Sequence, residues 1–583
     1  MSGRTNWLGG TEVSKKREAS QFNCSFGKIS TVYDIVDAFW LLLQGCGVGF
    51  KPEPGILSGF TKPVEVKVVR SKKELGDPKG REGNDAYISH STYYLHIGDS
   101  AEAWAKAVGK LFALKDPVDI IILDFSEIRA AGERLKGYGW ISSGDATFSA
   151  ALVAICEILN RRSGKLLDEI DIIDILNHLG TTLSSRRSAE IAVVDFENPL
   201  ALDFAMMKKD HWVNGNHQRS QSNNSLLFWN KPSKLELHGM FKMMLDAGGS
   251  EPGFINAKHA RERAPWFMGV NPCAEILLGN KSFCNLVEVD WGKFIGDPGG
   301  LIKAIELAAR ANYRQTCVNL KDGILSDTWH ELNEFLRLCG VGATGIVKYL
   351  QYTPNALDLR SFRMAAQIAA EGMADELGLP HPKLVTTVKP SGTLSKVMDT
   401  TEGAHKPLGK YIFNNIRFSK NDELIPLLRE ASYRIFDDPY SSDSVLVTVP
   451  VAYTDVQFDL TEDGLEVNLE SAVDQLERYK LLMDHYVDHN CSITISYSPE
   501  EVPDIVDWLF ENWDSYVGVS FILRNDPTKT AADLGYPYLP QEVVTREVYE
   551  EYVATLKPVD VYATKDEEMV ETDDCATGAC PIR

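Results

Sequence analysis

The chain has no run of eighteen apolar residues, although 44% of its 583 residues are hydrophobic. A membrane-spanning helix needs about 20 such residues. The longest apolar stretches, such as VDIIILDF (118–125), are short and β-rich and read as buried strands. The first residues, MSGRTNWLGG, lack the apolar segment of a secretory signal. Basic charge is also in deficit, 60 Lys and Arg against 82 Asp and Glu, for a net charge of −22. That balance argues against a DNA-binding protein. A nucleotide ligand stays open, because a few local N–H groups suffice for phosphate. No internal repeat or long low-complexity tract is present. These absences point to a cytoplasmic protein with no membrane partner.

Ten cysteines are present without a disulfide framework. Cys156, Cys317 and Cys339 lie in helix-like apolar text and read as small buried hydrophobes. Cys575 and Cys580 sit in an acidic end, TKDEEMVETDDCATGACPIR (564–583), a composition that does not pack. Zinc would need a second ligand pair, and the sequence offers none nearby. A structural disulfide is disfavoured in a reducing compartment. The best reading is a dithiol cycling on a mobile arm, whose roughly 20 residues span about 25 Å as a flexible coil.

Helix-like segments, TVYDIVDAFWLLLQ (31–44), AEAWAKAVGKLFAL (101–114) and ATFSAALVAICEILNRR (146–162), alternate with apolar runs. The runs are EIAVVDF (190–196), KLVTTVKP (383–390), SVLVTVPV (444–451) and CSITISY (491–497). This alternation predicts an α/β fold with parallel strands, open or closed into a barrel. Residues 56–100, with RSKKELGDPKGREGND (70–85) at the centre, are polar and Gly-rich. They read as a loop, a linker or a small effector-binding element.

Chemistry concentrates in NPCAEILLGNKSFCN (271–285). Cys273 and Cys284 stand eleven residues apart, and both could be structural. Glu275, two residues after Cys273, shifts the reading towards acid–base work. Asn271 is placed to orient a hydroxyl or the carboxylate. The preceding text, GGSEPGFINAKHARERAPWFMGV (248–270), is turn-rich and puts the motif at a loop tip. A third thiol, Cys24, lies in the strand-like ASQFNCSFGKIS (19–30). In VKPSGTLSKV (388–397) a strand runs into Pro390, Ser391, Gly392 and Thr393 and then a helix. That pattern suits a phosphate cradle and equally an ordinary N-capped helix.

Taken together, these segments resemble the adenosylcobalamin-dependent (class II) ribonucleotide reductases, closest to the monomeric ribonucleoside-triphosphate reductases. The resemblance runs from GRTNWLGGT (3–11) to the last residue. FNCSF (22–26), GCGVGF (45–50), DFSEIRAAGERLKGYG (124–139), RRSAEIAVVD (186–195), EPGFIN (251–256), NPCAEI, VKPSGTLS, NCSITISY (490–497), DSYVGVSF (514–521) and the terminal dithiol carry it. Class I large subunits have adjacent tyrosines late in the core, whereas Tyr93-Tyr94 is early here. The end CATGACPIR is not the glycyl-radical motif of class III.

The resemblance implies a ten-stranded α/β barrel with a central finger loop, a core over residues 1–557 and a mobile redox tail over 558–583. It implies Cys273 as the thiyl-radical site, Asn271 as substrate-orienting partner and Glu275 as general base. Cys24 and Cys284 match the pair oxidised in each turnover, and Cys575 and Cys580 the pair that re-reduces it. Pro390, Ser391, Gly392 and Thr393 match part of the substrate-phosphate loop. The implied cofactor is adenosylcobalamin, whose cobalt is carried by the corrin, so no metal ligands are expected from the protein. Implied partners are a ribonucleoside triphosphate, a deoxynucleotide effector at an insertion over 62–118, and thioredoxin or a similar dithiol, acting on a monomer. Relatives have a segment ahead of the region matching residues 1–20, so a complementing N-terminal polypeptide is a further expected partner. The alternatives are a diphosphate reductase of the same class, or a split chain that binds nucleotide and needs a second polypeptide for activity.

Overall fold

The computed structural model describes residues 3–560, apart from 136–139, 184–188, 354, 393, 421, 440–443 and 525. Ten strands position the site: β1 (Cys24–Ile29), β2 (Gly47–Pro52), β3 (Glu190–Asp195), β4 (Ser222–Phe228), β5 (Gly253–Asn256), β6 (Ser282–Cys284), β7 (Val287–Asp290), β8 (Val341–Thr344), β9 (Thr494–Tyr497) and β10 (Gly518–Leu523). β1 to β5 pair parallel, in that order. β6 adds antiparallel to the outer edge of β1. At the other edge β5 meets β10 antiparallel, and β10 pairs parallel with β9. Single parallel bridges, Val388 to Cys491 and Thr386 to Val341, carry the order through residues 385–388 to β8, which pairs parallel with β7.

Two parallel halves therefore meet at one antiparallel junction. KLVTTVKP, expected as a full strand, contributes only those two bridges. No ladder among the described residues joins β7 back to β1, so the ladders trace the strand order without closing a barrel.

Helices cover this sheet because their apolar faces have nowhere else to go. The helix Val32–Leu43 is capped by Thr31, whose hydroxyl accepts from Asp34 N while the Asp34 carboxylate accepts from Thr31 N. Its residues Phe39 to Leu42 are fully buried on all sides, with Phe39 stacked on Phe148 of the helix Ala146–Arg161. Among the described residues no helix is long and apolar enough to cross a membrane.

Two expected core strands lie elsewhere. VDIIILDF supplies Ile120–Asp124 to a separate four-stranded sheet with Glu65–Val69, Thr92–His96 and Asp85–Ser89. Only alternate residues of that strand are buried, Ile121 and Leu123, so the run is apolar on both faces but covered on one. The polar text of 56–100 thus contains strands, with Tyr87, Tyr94 and His96 stacked on the outer face. SVLVTVPV forms Ser444–Ala452 of a second accessory sheet, antiparallel to Tyr411–Ser419 and Ile435–Asp437. Cys317 is exposed rather than buried, because it lies beyond the end of the helix Pro298–Gln315.

A hairpin, Gly269–Val270 paired with Leu277–Leu278, passes close to β1 and β2. Two glycines make the passage possible. A Cβ at Gly49 of β2 would stand 2.1 Å from Val270 O, and one at Gly269 would stand 2.1 Å from the Phe26 ring. The Gly49 contact is with backbone, so no side-chain rotation relieves it. Gly49→Ala is expected to destabilise the fold by at least about 1–3 kcal/mol, the usual cost of overpacking, in urea unfolding. A loss below about 0.5 kcal/mol would contradict this hairpin placement.

Candidate active site

The tip of the hairpin, residues 271–276, is a loop inside the protein, so each of its peptide groups needs a partner. Ala274 N donates to Asn271 O at 2.7 Å, and Ile276 N donates to Asn271 Oδ1 at 2.9 Å. This tight turn holds Ala274 at φ +61°, a left-handed conformation that costs a non-glycine residue roughly 1–2 kcal/mol. The carbonyls are taken up from outside the loop. Asn223 Nδ2 donates to Pro272 O at 2.9 Å, Asn490 Nδ2 to Ala274 O at 2.7 Å, and Thr387 Oγ1 to Glu275 O at 2.9 Å.

Residues 488–490, Asp-His-Asn, brace the hairpin from the second half of the sheet. Asp488 accepts from Val385 N and Thr386 N, both at 3.1 Å, and fixes the segment that carries Thr387. His489 Nδ1 accepts from Leu277 N at 3.2 Å, so its Nε2 carries the proton and faces Cys339 O at 2.9 Å. Burial holds that imidazole below its usual pKa, which keeps Nδ1 an acceptor. Asn490 is itself held by Tyr479 OH, which donates to its Oδ1 at 2.8 Å. Sequence reasoning gave none of these residues a role. The available signal was a polar trio placed directly before the apolar run CSITISY.

Cys24 and Cys284 face each other in register across β1 and β6, and both are free thiols. Burial, then the adjacent Cys24 thiol, pushes the Cys284 thiol well above the ordinary range. Gly47, opposite Cys24 on β2, leaves the space that brings the dithiol to the tip. Cys24 Sγ and Pro272 Cγ both lie 3.1 Å from where its Cβ would be. The structure therefore brings together Cys24, Cys284 and the tip carrying Asn271, Cys273 and Glu275. Cys273 is exposed while Asn271 and Glu275 are buried.

Burial is the largest influence on the Glu275 carboxyl and pushes its pKa up, against the pull of the nearby Asn271 amide and the Lys389 cation. Although that amide stands close enough to act on the carboxyl, neither Asn271 Nδ2 nor Glu275 Oε2 makes a well-aligned hydrogen bond among the described residues. The same holds for Ser391 Oγ and Ser395 Oγ, at the turn following the 385–388 segment. Ser391 is buried at φ +60°, Pro390 is half-buried and Gly392 is exposed. Thr393, Cys575 and Cys580 lie outside the described residues.

No protein-family model matches the chain. Curated relatives match along its whole length. A protein of Lactobacillus helveticus named adenosylcobalamin-dependent ribonucleoside-triphosphate reductase is 27% identical over 670 aligned residues, covering 100% of this chain and 87% of that protein. Proteins of the same name from Lacticaseibacillus paracasei and Lactobacillus leichmannii are each 26% identical, with the same coverage of both chains. The aligned span exceeds the 583 residues here, so these relatives have internal segments that this chain lacks. A solved structure titled B-12 dependent (class II) ribonucleotide reductase superposes with a TM-score of 0.76 at 23% identity, covering 96% of this chain and 85% of that one. The chain thus has the fold of the class II ribonucleotide reductases and is, along its whole length, a relative of the adenosylcobalamin-dependent ribonucleoside-triphosphate reductases.

Proposed function

We propose that this chain reduces ribonucleoside triphosphates to 2′-deoxyribonucleoside triphosphates, with adenosylcobalamin as cofactor and a dithiol as electron source. The observation that carries this reading is the exposed Cys273 between the buried Asn271 and Glu275, on a tip that meets the Cys24–Cys284 dithiol. Among the buried side-chain atoms without a hydrogen bond to the described residues are Asn271 Nδ2, Glu275 Oε2, Ser391 Oγ and Ser395 Oγ. Each such atom costs about 1–3 kcal/mol in a sealed interior. Two of them flank an exposed thiol beside a free dithiol, which suits a polyhydroxylated substrate. The triphosphate follows the relatives' printed name.

When bound, adenosylcobalamin would supply a carbon radical by homolysis of its Co–C bond. The geometry fits such a group in one respect: Cys273 is exposed at the tip, so a large cofactor reaches the thiol without displacing the buried Glu275. The residues then divide the work. Cys273, having given up its hydrogen atom, takes the 3′ hydrogen of the ribose. Asn271 orients the hydroxyls. Glu275 accepts the 3′-OH proton while the 2′-OH leaves as water, taking a thiol proton from the dithiol. Cys24 and Cys284 deliver two electrons, their second hydrogen goes to C2′ in place of the lost hydroxyl, and they close into a disulfide; Glu275 gives its proton back to the 3′ oxygen and Cys273 returns the hydrogen to C3′. Pro390, Ser391 and Gly392, with Thr393, hold the phosphates.

The rest of the reading concerns regeneration and control. Cys575 and Cys580, on a tail over 558–583, re-reduce the core disulfide and are themselves reduced by thioredoxin or a similar protein. The unit over 62–118 holds the deoxynucleotide effector, and the core over 1–557 acts as a monomer in the cytoplasm.

Cys273→Ser is expected to lose all turnover, including the first equivalent of product. One equivalent of deoxynucleotide from that variant would reject the radical assignment. In the unaltered chain, Glu275 works as a base only when ionised, and its raised pKa keeps it protonated to higher pH than a free carboxylate. The acid limb of kcat/KM is therefore expected above pH 4.5 and absent in Glu275→Gln, which should lose about 10²–10⁴-fold in kcat. A pure increase in KM would count against a general base. The double variant Cys575→Ser, Cys580→Ser is expected to make one equivalent and stop with thioredoxin, its Cys24–Cys284 disulfide recovered by peptide mapping. Full thioredoxin-driven turnover would exclude the tail relay.

A further inference from the structure

Behind Glu275 lies an ion pair that the steps above do not use. Glu288 on β7 pairs in register with Gly342 on β8. A Cβ at Gly342 would meet Glu288 Cγ at 3.3 Å and Lys389 Cγ at 4.0 Å, so the glycine makes room for both side chains. Lys389 Nζ stands 2.8 Å from Glu288 Oε2, with the two side chains 13% and 0% exposed. Thr387 and Lys389 alternate along one strand-like segment and share a face. Thr387 donates to the Glu275 carbonyl from that face, so the segment carrying Lys389 presents the same face to the 271–276 tip.

Stability alone gives no reason for this pair. A buried ion pair commonly returns less than its desolvation costs, most of all when its hydrogen bonding is incomplete. Here neither Glu288 oxygen makes a well-aligned hydrogen bond among the described residues, so the pair is held by charge and proximity. The charged and titratable groups around Glu275 are Lys389 and Glu288 from the second half of the sheet, Cys284 of β6, and the neutral His489, with the Asn271 amide. Lys389 favours the ionised form of Glu275, and Glu288 opposes it.

We propose that the Lys389–Glu288 pair is a positioning device that sets the charge on Glu275, with the cation keeping the acid available as a base and the second carboxylate limiting how far. Neither residue is assigned contact with substrate. The inference rests on the reading of Glu275 as the general base.

The test is the titration of the Glu275 carboxyl in the full chain labelled with 13C-glutamate. The resonance is assigned by its loss in Glu275→Gln and followed beside the pH–rate profile. Lys389→Met should raise the midpoint by about one pH unit, Glu288→Gln should lower it by a similar amount, and the double variant should return it close to the starting value. If one single variant fails to fold, the other still supplies the comparison, because each alone is expected to move the midpoint in a stated direction. A midpoint within 0.2 units (about the precision of such a titration) in every variant, with only KM changed in Lys389→Met, would make Lys389 a substrate contact and overturn the proposal. Retained turnover in Glu275→Gln would instead remove the base reading, and the titration would still report whether the pair acts on the acid.

Discussion

A loop that enters a protein interior has to satisfy its own backbone, and the rest of this structure depends on how the 271–276 tip does so. Three carbonyls in the loop, at Pro272, Ala274 and Glu275, are taken by Asn223, Asn490 and Thr387. Its N–H groups close onto Asn271 and onto His489. The donors come from both halves of the sheet, so the tip is fixed only when the halves are assembled. That arrangement puts an exposed thiol and a buried carboxyl two residues apart in one rigid turn, which flexible side chains alone would not maintain.

The tip carbonyls at Pro272, Ala274 and Glu275 are bonded, while Asn271 Nδ2, Glu275 Oε2, Ser391 Oγ and Ser395 Oγ are among the buried side-chain atoms without a hydrogen bond to the described residues. A fold that leaves such atoms bare gives up stability that a polar ligand restores on binding. The burial that strands Glu275 Oε2 also raises its proton affinity, so desolvation and base strength have one cause.

The sequence was informative where chemistry and turn grammar coincide. NPCAEI follows turn-rich text and carries a thiol and an acid, and it is the tip of a hairpin. The helix at 32–43 was legible from its period, while its capping threonine emerged only in the structure. Assigning short apolar runs to the main sheet failed for Ile120–Asp124 and Ser444–Ala452, because such a run looks alike whether one or both faces are covered. The facing of Cys24 and Cys284 is a long-range strand pairing without a local signal, and it entered through the resemblance to known reductases. Asp488 and His489 were overlooked, and Asn490 entered only as the first residue of NCSITISY, because their partners are backbone groups 102 to 216 residues away in the chain.

The central claim is that this one chain holds a complete reductive site around Cys273. The most direct measurement is deoxynucleotide formation by the purified 583-residue protein, given a ribonucleoside triphosphate and a small dithiol, with and without adenosylcobalamin. The account requires product that depends on the cofactor. Binding of the nucleotide with no product at saturating cofactor would contradict it.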